Sequence, residues 1–211
     1  MATTEFAVVE RPLGRMSGVD FRAFQETRPD HERWELIDGV PVMMTPPTLA
    51  HNLIATNLQF LLLSALRQHH PSLVAVQRPG LDINDPDYQP EPDVAVIDAD
   101  FKQDDRIAAQ AYLLAEIVSN SDQKPAGLDR QWIDEKRELY RGHKPCQAVL
   151  IISQDHMDVE LDLRTETGWT VAVLQGPDAE LSIPAFGLRC TVADLYEQTP
   201  LAHGTARRPR P

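Results

Sequence analysis

The sequence predicts an α/β (α+β) protein in which a β-sheet is flanked by helices. Two long helical patterns, from about Leu49 to His69 and from about Leu128 to Arg141, carry apolar residues at the period of an α-helix. Between and after them lie short runs of β-branched and aliphatic residues, bounded by turn-forming residues, which are typical of strands. Both element types therefore contribute to one layered protein.

The composition is that of one soluble globular domain. The chain has 211 residues, of which 42% are hydrophobic and 25% are charged, so it can bury one sizeable core. We expect an N-terminal arm over residues 1–16, one domain over 17–198, and a disordered basic and proline-containing tail over 199–211. The start has no signal-peptide pattern and no window approaches a membrane span, which predicts a cytoplasmic protein.

Charge and cysteine content exclude some classes of function. The formal net charge of −12 argues against a protein that coats nucleic acid non-specifically, because such binding is driven by cations. It does not exclude a nuclease whose site is built from carboxylates and meets phosphate through a metal ion. Cys146 and Cys190 stand in no paired motif, so neither a disulfide framework nor a cysteine-based zinc site is expected.

The first part of the chain predicts a short helix, a hairpin and a long helix. Ser17 suits the cap of the short helix, and Thr48 suits the cap of the long helix. Asp38 and Gly39 lie between two apolar runs and indicate a two-residue turn with positive φ at both positions. Glu35 lies in the first arm of this hairpin, among apolar residues.

Two acidic residues stand within apolar runs of strand composition. Asp93 opens the run D-V-A-V-I-D after a proline, and Glu116 stands in A-Y-L-L-A-E-I-V-S. Burying an ionised carboxylate without a partner costs several kcal/mol, so each acid needs compensation unless it points to solvent. Functional sites and structural ion pairs both gather such acids, and these two runs alone do not choose between them.

Lys136 decides between these interpretations. On the helical wheel of the second long helix it falls near the middle of the apolar arc. A lysine at that place is costly to bury unless its ammonium group meets acids on the element beneath the helix. We therefore expect Lys136 to pack over the acidic strands.

Five residues in unusual positions follow one another along the hairpin, helix, strand, strand and helix: Glu35, His51, Asp93, Glu116 and Lys136. They stand in the segments W-E-L-I-D-G, P-P-T-L-A-H, P-D, E-I-V-S and E-K-R-E-L-Y. On these segments, within residues 17–196, the chain resembles the PD-(D/E)XK nuclease superfamily and, more closely, the Uma-type restriction endonuclease family. The resemblance implies a restriction-endonuclease-like mixed β-sheet flanked by helices.

The resemblance also implies a metal site. Asp93 and Glu116 match the two metal-binding acids of the superfamily motif, and with the carbonyl of Ile117 they would hold Mg²⁺ or Mn²⁺. Glu35 matches a further residue of the family's site and would complete the coordination or accept a proton. The expected catalytic residues thus include three acids.

The lysine departs from the plain motif of the superfamily. There it lies two residues after the acid on the same strand, where this chain has Val118. Uma-type members resemble this chain in supplying the lysine from the following helix, which agrees with the wheel position of Lys136. It would orient the attacking water or stabilise the transition state. His51 would position phosphate or water, although a packed or capping histidine at this place in a helix stays open.

The resemblance implies metal-dependent hydrolysis of phosphodiester bonds. We expect the substrate to be DNA, with RNA as the alternative. We expect a homodimer, because cleaving both strands of a duplex takes two sites or two visits, and the alternating strands after Met157 offer a self-complementary surface.

Two other classes of function stay open. One is a binding module that keeps the nuclease scaffold without turnover, and the other is a hydrolase of a different phosphate substrate.

Overall fold

The computed structural model describes residues 14–29, 31–83, 85–119 and 132–202. The chain divides into two compact units: the first is drawn from Met1–Thr45 and Ile83–Pro90, and the second from Pro46–Asp82 and Glu91–Pro211. Residues 1–13 and 203–211 lie outside the described ranges, so most of the expected arm and tail does as well. The boundaries predicted for the domain stay a prediction.

The first unit contains a helix and a hairpin. Helix α1 (Gly18–Glu26) begins after Ser17, whose side chain accepts the N–H of Asp20 in a capping box, as predicted. The hairpin has two strands that pair antiparallel: β1 (Trp34–Ile37) and β2 (Val40–Met43). At its turn Asp38 and Gly39 have φ angles of 49° and 72°, which confirms the predicted conformation.

The second unit contains ten strands and three α-helices within the described ranges. In chain order they are α2 (Leu49–His69), β3 (Leu73–Gln77), β4 (Gly80–Leu81), β5 (Val94–Asp98), β6 (Ile107–Ala108), β7 (Ala111–Val118), α3 (Trp132–Gly142), β8 (Ala148–Ser153), β9 (Asp158–Thr165), β10 (Gly168–Gln175), β11 (Glu180–Ile183), β12 (Leu188–Thr191) and α4 (Val192–Leu195). A single 3₁₀ turn, Pro184–Phe186, joins β11 to β12.

Six of these strands form one mixed sheet in the order β10-β9-β8-β7-β5-β3. Neighbours in this sheet pair antiparallel, except that β7 and β8 run parallel. Helix α2 shares a core with Leu113, Ala115 and Ile117 of β7, whereas Glu116 of the same strand contacts α3. Because alternate residues of a strand point to opposite faces, α2 and α3 cover opposite faces of the sheet. The predicted mixed sheet flanked by helices is confirmed.

Helix α2 begins and ends where the sequence predicts. The hydroxyl of Thr48 accepts the N–H of His51 at 3.1 Å and caps the helix. Its buried stripe belongs to the core beneath the sheet: Ile54, Ala55, Leu58, Leu62 and Leu66. Contrary to the expectation from the sequence, α2 is long and apolar enough to cross a membrane, but a core helix meets the same criteria.

The structure differs from the sequence prediction in a few elements. Strand β12 and its pairing with β11 were not predicted, since its residues L-R-C-T form only a weak alternating pattern. Asp93 lies directly before β5 and not inside a strand, because its carboxylate accepts the N–H of Ile117. The predicted start of α3 lies outside the described residues, which resume at Trp132. Both cysteines are free, as expected.

Candidate active site

The two predicted acids, Asp93 and Glu116, lie at the same end of the β5–β7 strand pair. Asp93 precedes Val94, which pairs with Ala115, and its carboxylate accepts the N–H of Ile117, the residue after Glu116. Glu116 lies beneath α3, which carries Lys136, and Asp93 is near enough for the charge of Lys136 to lower the pKa of its carboxyl.

Groups from three parts of the chain hold Asp93 as a carboxylate. Its Oδ2 accepts the N–H of Ile117 at 2.8 Å and lies 3.1 Å from Nε2 of His51, while its Oδ1 lies 3.7 Å from Nε of Arg78. Burial raises the pKa of the Asp93 carboxyl, but the hydrogen bond and charge of His51, the Ile117 amide and the charge of Lys136 oppose this effect. The net result is a pKa below its ordinary value.

Glu116 is bound by two side chains of α3. Nζ of Lys136 donates to Oε1 of Glu116 at 3.0 Å, and the hydroxyl of Tyr140 donates to the same oxygen at 2.5 Å. Lys136 and Tyr140 are four residues apart and so share one face of the helix. Glu116 and Lys136 are each only 7% exposed, and Tyr140 is fully buried. The prediction that Lys136 meets an acid on the strand beneath it is confirmed.

His51 is a hydrogen-bond partner of Asp93 and not only a packed helix residue. The first turn of α2, fixed by Thr48, places its Nε2 at 3.1 Å from Oδ2 of Asp93. Among the described residues nothing hydrogen-bonds its other ring nitrogen, Nδ1, which is buried. A buried polar atom without a protein partner indicates a place for water or a ligand. His51 is thus positioned at the acid pair with one nitrogen available.

Glu35 belongs to the first unit, whereas the other predicted site residues belong to the second. It lies on β1 opposite Val42 of β2 and is 3% exposed. An acid buried to this extent must be compensated by hydrogen bonds or charge. Its predicted share in the metal site stays a prediction.

Sequence reasoning misses two residues of the site, Tyr140 and Arg78. Tyr140 ends the segment E-K-R-E-L-Y, and its spacing of four from Lys136 is a signal that could have placed it beside the same acid. Arg78 has a positive φ of 53°, a conformation that costs a residue other than glycine about 1–3 kcal/mol and occurs often at functional sites. No pattern in the sequence predicts that conformation.

The oxygen donors at the acid pair suit a hard divalent cation. Among the described residues no group of three or more histidine, cysteine, aspartate or glutamate side chains is arranged to hold a metal ion. Asp93 and Glu116 nevertheless supply two carboxylates from neighbouring segments of the sheet, and Mg²⁺ commonly binds through one or two carboxylates while it keeps several waters. The unpartnered Nδ1 of the adjacent His51 is a further polar atom for a water or phosphate. The donor chemistry therefore fits Mg²⁺ or Mn²⁺.

A family model matches most of the chain. It carries the description "Uma2: Putative restriction endonuclease" and matches residues 19–193, which include all five predicted site residues. The chain belongs to the Uma2 family. This confirms the resemblance inferred from the sequence segments. No curated protein matches this Uma2 family member.

A solved structure has the same fold as this Uma2 family member. The protein is described as "a putative nuclease belonging to DUF820", from Anabaena variabilis, and its crystal structure aligns with a TM-score of 0.62. The two chains are 16% identical, and the match covers 86% of this chain and 97% of the other. At this identity the likeness shows the fold alone. It confirms the predicted fold class, a restriction-endonuclease-like mixed sheet flanked by helices.

Proposed function

We propose that this Uma2 family member is a metal-dependent endonuclease that hydrolyses phosphodiester bonds in DNA. The observation that carries the proposal is the buried contact of 3.0 Å between Lys136 and Glu116, with Asp93 hydrogen-bonded to the amide of the next residue, Ile117. Well-packed apolar residues are often as stabilising as a buried ion pair, so stability alone is a weak reason for such a pair. Clustered, interacting acids and bases are common at catalytic sites.

Asp93 and Glu116, with the carbonyl oxygen of Ile117, would hold Mg²⁺ or Mn²⁺. When bound, such an ion supplies Lewis-acid stabilisation of the negative charge that develops on the phosphate oxygens. The hydrogen bonds from His51 and the Ile117 amide orient Asp93, and those from Lys136 and Tyr140 orient Glu116. Ligands fixed in this way lose little freedom on binding the ion.

Lys136 and His51 act on the substrate in this proposal. Hydrolysis of a phosphodiester spreads negative charge over the phosphate oxygens in the transition state, and a pre-positioned ammonium group stabilises that charge. The hydrogen bonds from Lys136 and Tyr140 to Glu116 hold α3 against the sheet. The ammonium group of Lys136 is therefore in place before the substrate binds. His51, bound to Asp93 through Nε2, offers Nδ1 to a water or to a phosphate oxygen.

A homodimer is part of the proposal, because two copies supply one site for each strand of a duplex. Strand β10 is at one end of the six-stranded sheet and exposes Val171 and Val173, at 53% and 60%. An exposed apolar strand at a sheet edge is a surface on which a second copy can pair. Light scattering at micromolar concentrations tests this part, and a monomer there rejects it.

Cleavage of supercoiled plasmid DNA, with a folded RNA in parallel, tests the activity. We expect nicked and linear DNA in Mg²⁺ or Mn²⁺ and intact plasmid in EDTA. Asp93→Asn and Glu116→Gln should each slow cleavage by about 100-fold, because each removes a charge at the site of reaction. Glu166→Gln, in the exposed turn between β9 and β10, is the matched control and should cleave as the parent does. Cleavage in EDTA, or by the acid variants at the parent rate, contradicts the proposal.

A further inference from the structure

A cavity of about 550 Å³ lies on the same face of the sheet as Glu116. Its walls are the ends of β3 and β5 and the segment that leads through β6 towards β7. Val76 and Ile97 line it, and they point away from α2, because their neighbours Ala75 and Val96 belong to the α2 core. Glu116 points to that same face. The volume is within the range of ligand pockets.

Arg78 joins this cavity to the acid pair. It lines the cavity, and its Nε lies 3.7 Å from Oδ1 of Asp93. Its backbone N–H donates to the carbonyl of Asp93 at 3.3 Å, which holds Arg78 in its positive-φ conformation. A group bound against the Arg78 wall of the cavity is therefore separated from Asp93 by a single side chain.

Two exposed apolar side chains, one of them aromatic, lie at the cavity. Phe101 is 53% exposed and Ile107 is 38% exposed, and both line the opening. The ring of Phe101 therefore offers an accessible face at the mouth of the cavity. Planar bases stack on such rings, and this stacking tolerates any base because every base has a π-face.

The charges in the cavity favour the edge of a base over a phosphate group. The charged residues that line it are Arg78, Arg106, Asp98, Asp100 and Asp105. Asp98 accepts the hydroxyl of Tyr112 at 3.0 Å, and Asp105 accepts the backbone N–H of Lys102 at 2.7 Å. Three carboxylates against two guanidinium groups repel a phosphate inside the cavity. A carboxylate does, however, accept the exocyclic amino group of a base such as cytosine.

We propose that this cavity holds one unpaired nucleobase of the substrate, next to the phosphate that is cut. Phe101 stacks on the base, Asp100 accepts its amino group, and Arg78 meets the phosphate between the cavity and Asp93. The inference rests on the proposed function and names its substrate class: nucleic acid with single-stranded character at the cleavage point. A base within a duplex must leave its stack and its partner before it can enter, so a duplex substrate has to open locally at the cleavage point.

Fluorescence anisotropy with labelled oligonucleotides tests this subsite. The probes are short single strands of oligodeoxycytidine and oligodeoxythymidine and a blunt duplex of the same length, all in EDTA at one salt concentration. The parent should bind the single strands about tenfold more tightly than the duplex. It should also prefer the cytidine strand, because thymine lacks the exocyclic amino group. A parent that prefers the duplex, or binds none of the three, overturns the inference.

Two variants of the rim and one matched control locate the binding. Phe101→Ala should lose about tenfold in affinity for the single strands, whereas Phe101→Tyr should keep it because the ring remains. Phe60→Ala is the control, since Phe60 is 68% exposed on α2, which covers the opposite face of the sheet. Asp100→Asn should reduce the preference for cytidine. Unchanged affinity in Phe101→Ala, or an equal loss in Phe60→Ala, overturns the inference.

The subsite and the nuclease activity fail in distinguishable ways. A parent that binds single strands through Phe101 but cuts no nucleic acid supports the subsite and rejects the proposed function. A parent that cuts DNA, with binding and cutting unchanged in Phe101→Ala, supports the proposed function and rejects the subsite.

Discussion

Nζ of Lys136 on α3 lies 3.0 Å from Oε1 of Glu116 on β7, and both residues are 7% exposed. The fully buried Tyr140 donates to the same carboxylate oxygen. An ion pair at this depth is costly to break from either side, because removal of one partner leaves the other charge buried and uncompensated. The contact therefore ties the stability of the second unit to the site proposed for its chemistry.

Replacing the lysine should destabilise the protein. Lys136→Met is expected to lower the free energy of unfolding by about 3 kcal/mol at neutral pH, because Glu116 loses its compensating charge. Chemical denaturation followed by circular dichroism measures the change. The matched control is Lys144→Met at an exposed position, which should stay within about 0.5 kcal/mol of the parent. Equal stabilities of the two variants would mean that the contact does not stabilise the fold.

Removing the buried phenolic hydroxyl should also destabilise the fold. Tyr140→Phe is expected to cost about 1.5–3 kcal/mol, the range for a hydrogen bond to a charged group. Tyr112→Phe is the control, since it likewise removes a hydrogen bond to a carboxylate, that of Asp98, but at a partly exposed position. Denaturation of both variants shows how much of the loss in stability comes from the hydrogen bond itself and how much from its burial. An equal loss of unfolding free energy in Tyr112→Phe would contradict an extra contribution from burial of the Tyr140 hydrogen bond.

Stability should fall below neutral pH through His143. Its Nε2 accepts the N–H of Ala111 at 3.3 Å, so the folded protein holds the ring neutral. Burial lowers the pKa of His143, against the charge of Asp82, and the charge of Arg164 lowers it further. As pH falls, the His143 ring therefore takes up a proton in the unfolded chain before it does so in the folded protein. The stabilisation is present above pH of about 6.5 and is lost as pH falls below that value. We expect a shallower loss between pH 7.5 and 5 in His143→Gln. If the free energy of unfolding falls equally with pH in the parent and in His143→Gln, then His143 does not cause the loss.

Mn²⁺ should stabilise the parent by mass action. At a hundred times its dissociation constant the gain is about 2.7 kcal/mol, and Asp93→Asn should show little of it. Arg137→Leu is the control, because Arg137 contacts Asp162 and Glu160 of β9 at 2.5 and 2.6 Å, in ion pairs that do not include either predicted metal-binding acid. That variant should be less stable yet keep the full gain. Thermal melts with EDTA and with Mn²⁺ decide, and an equal gain in Asp93→Asn contradicts the metal site.

Local signals made much of the scaffold predictable. The cap at Thr48 fixes the start of α2, and Asp38-Gly39 fixes the hairpin turn, because each acts through its own backbone neighbours. The burial of Lys136 follows from its place on the helical wheel, since a charge in the middle of an apolar stripe must meet a counter-charge.

Features that depend on distant parts of the chain were not predictable. The conformation of Arg78 is held by the carbonyl of Asp93, fifteen positions later, which no pattern of neighbouring residues reveals. The order of the six strands and the pairing of β12 follow from how faces pack, and not from the residues of any one strand. Among the described residues nothing hydrogen-bonds the second ring nitrogen of His51, so its partner was not predictable either.

The cleavage rate of Lys136→Met in saturating Mn²⁺ tests the central claim most directly. The rate is measured under single turnover at a temperature where the variant is folded, beside Lys144→Met. If Lys136 stabilises the charge of the transition state, its loss should slow cleavage by about 100-fold or more with little change in DNA affinity, while Lys144→Met cleaves as the parent does. Cleavage by folded Lys136→Met at the parent rate would contradict the account.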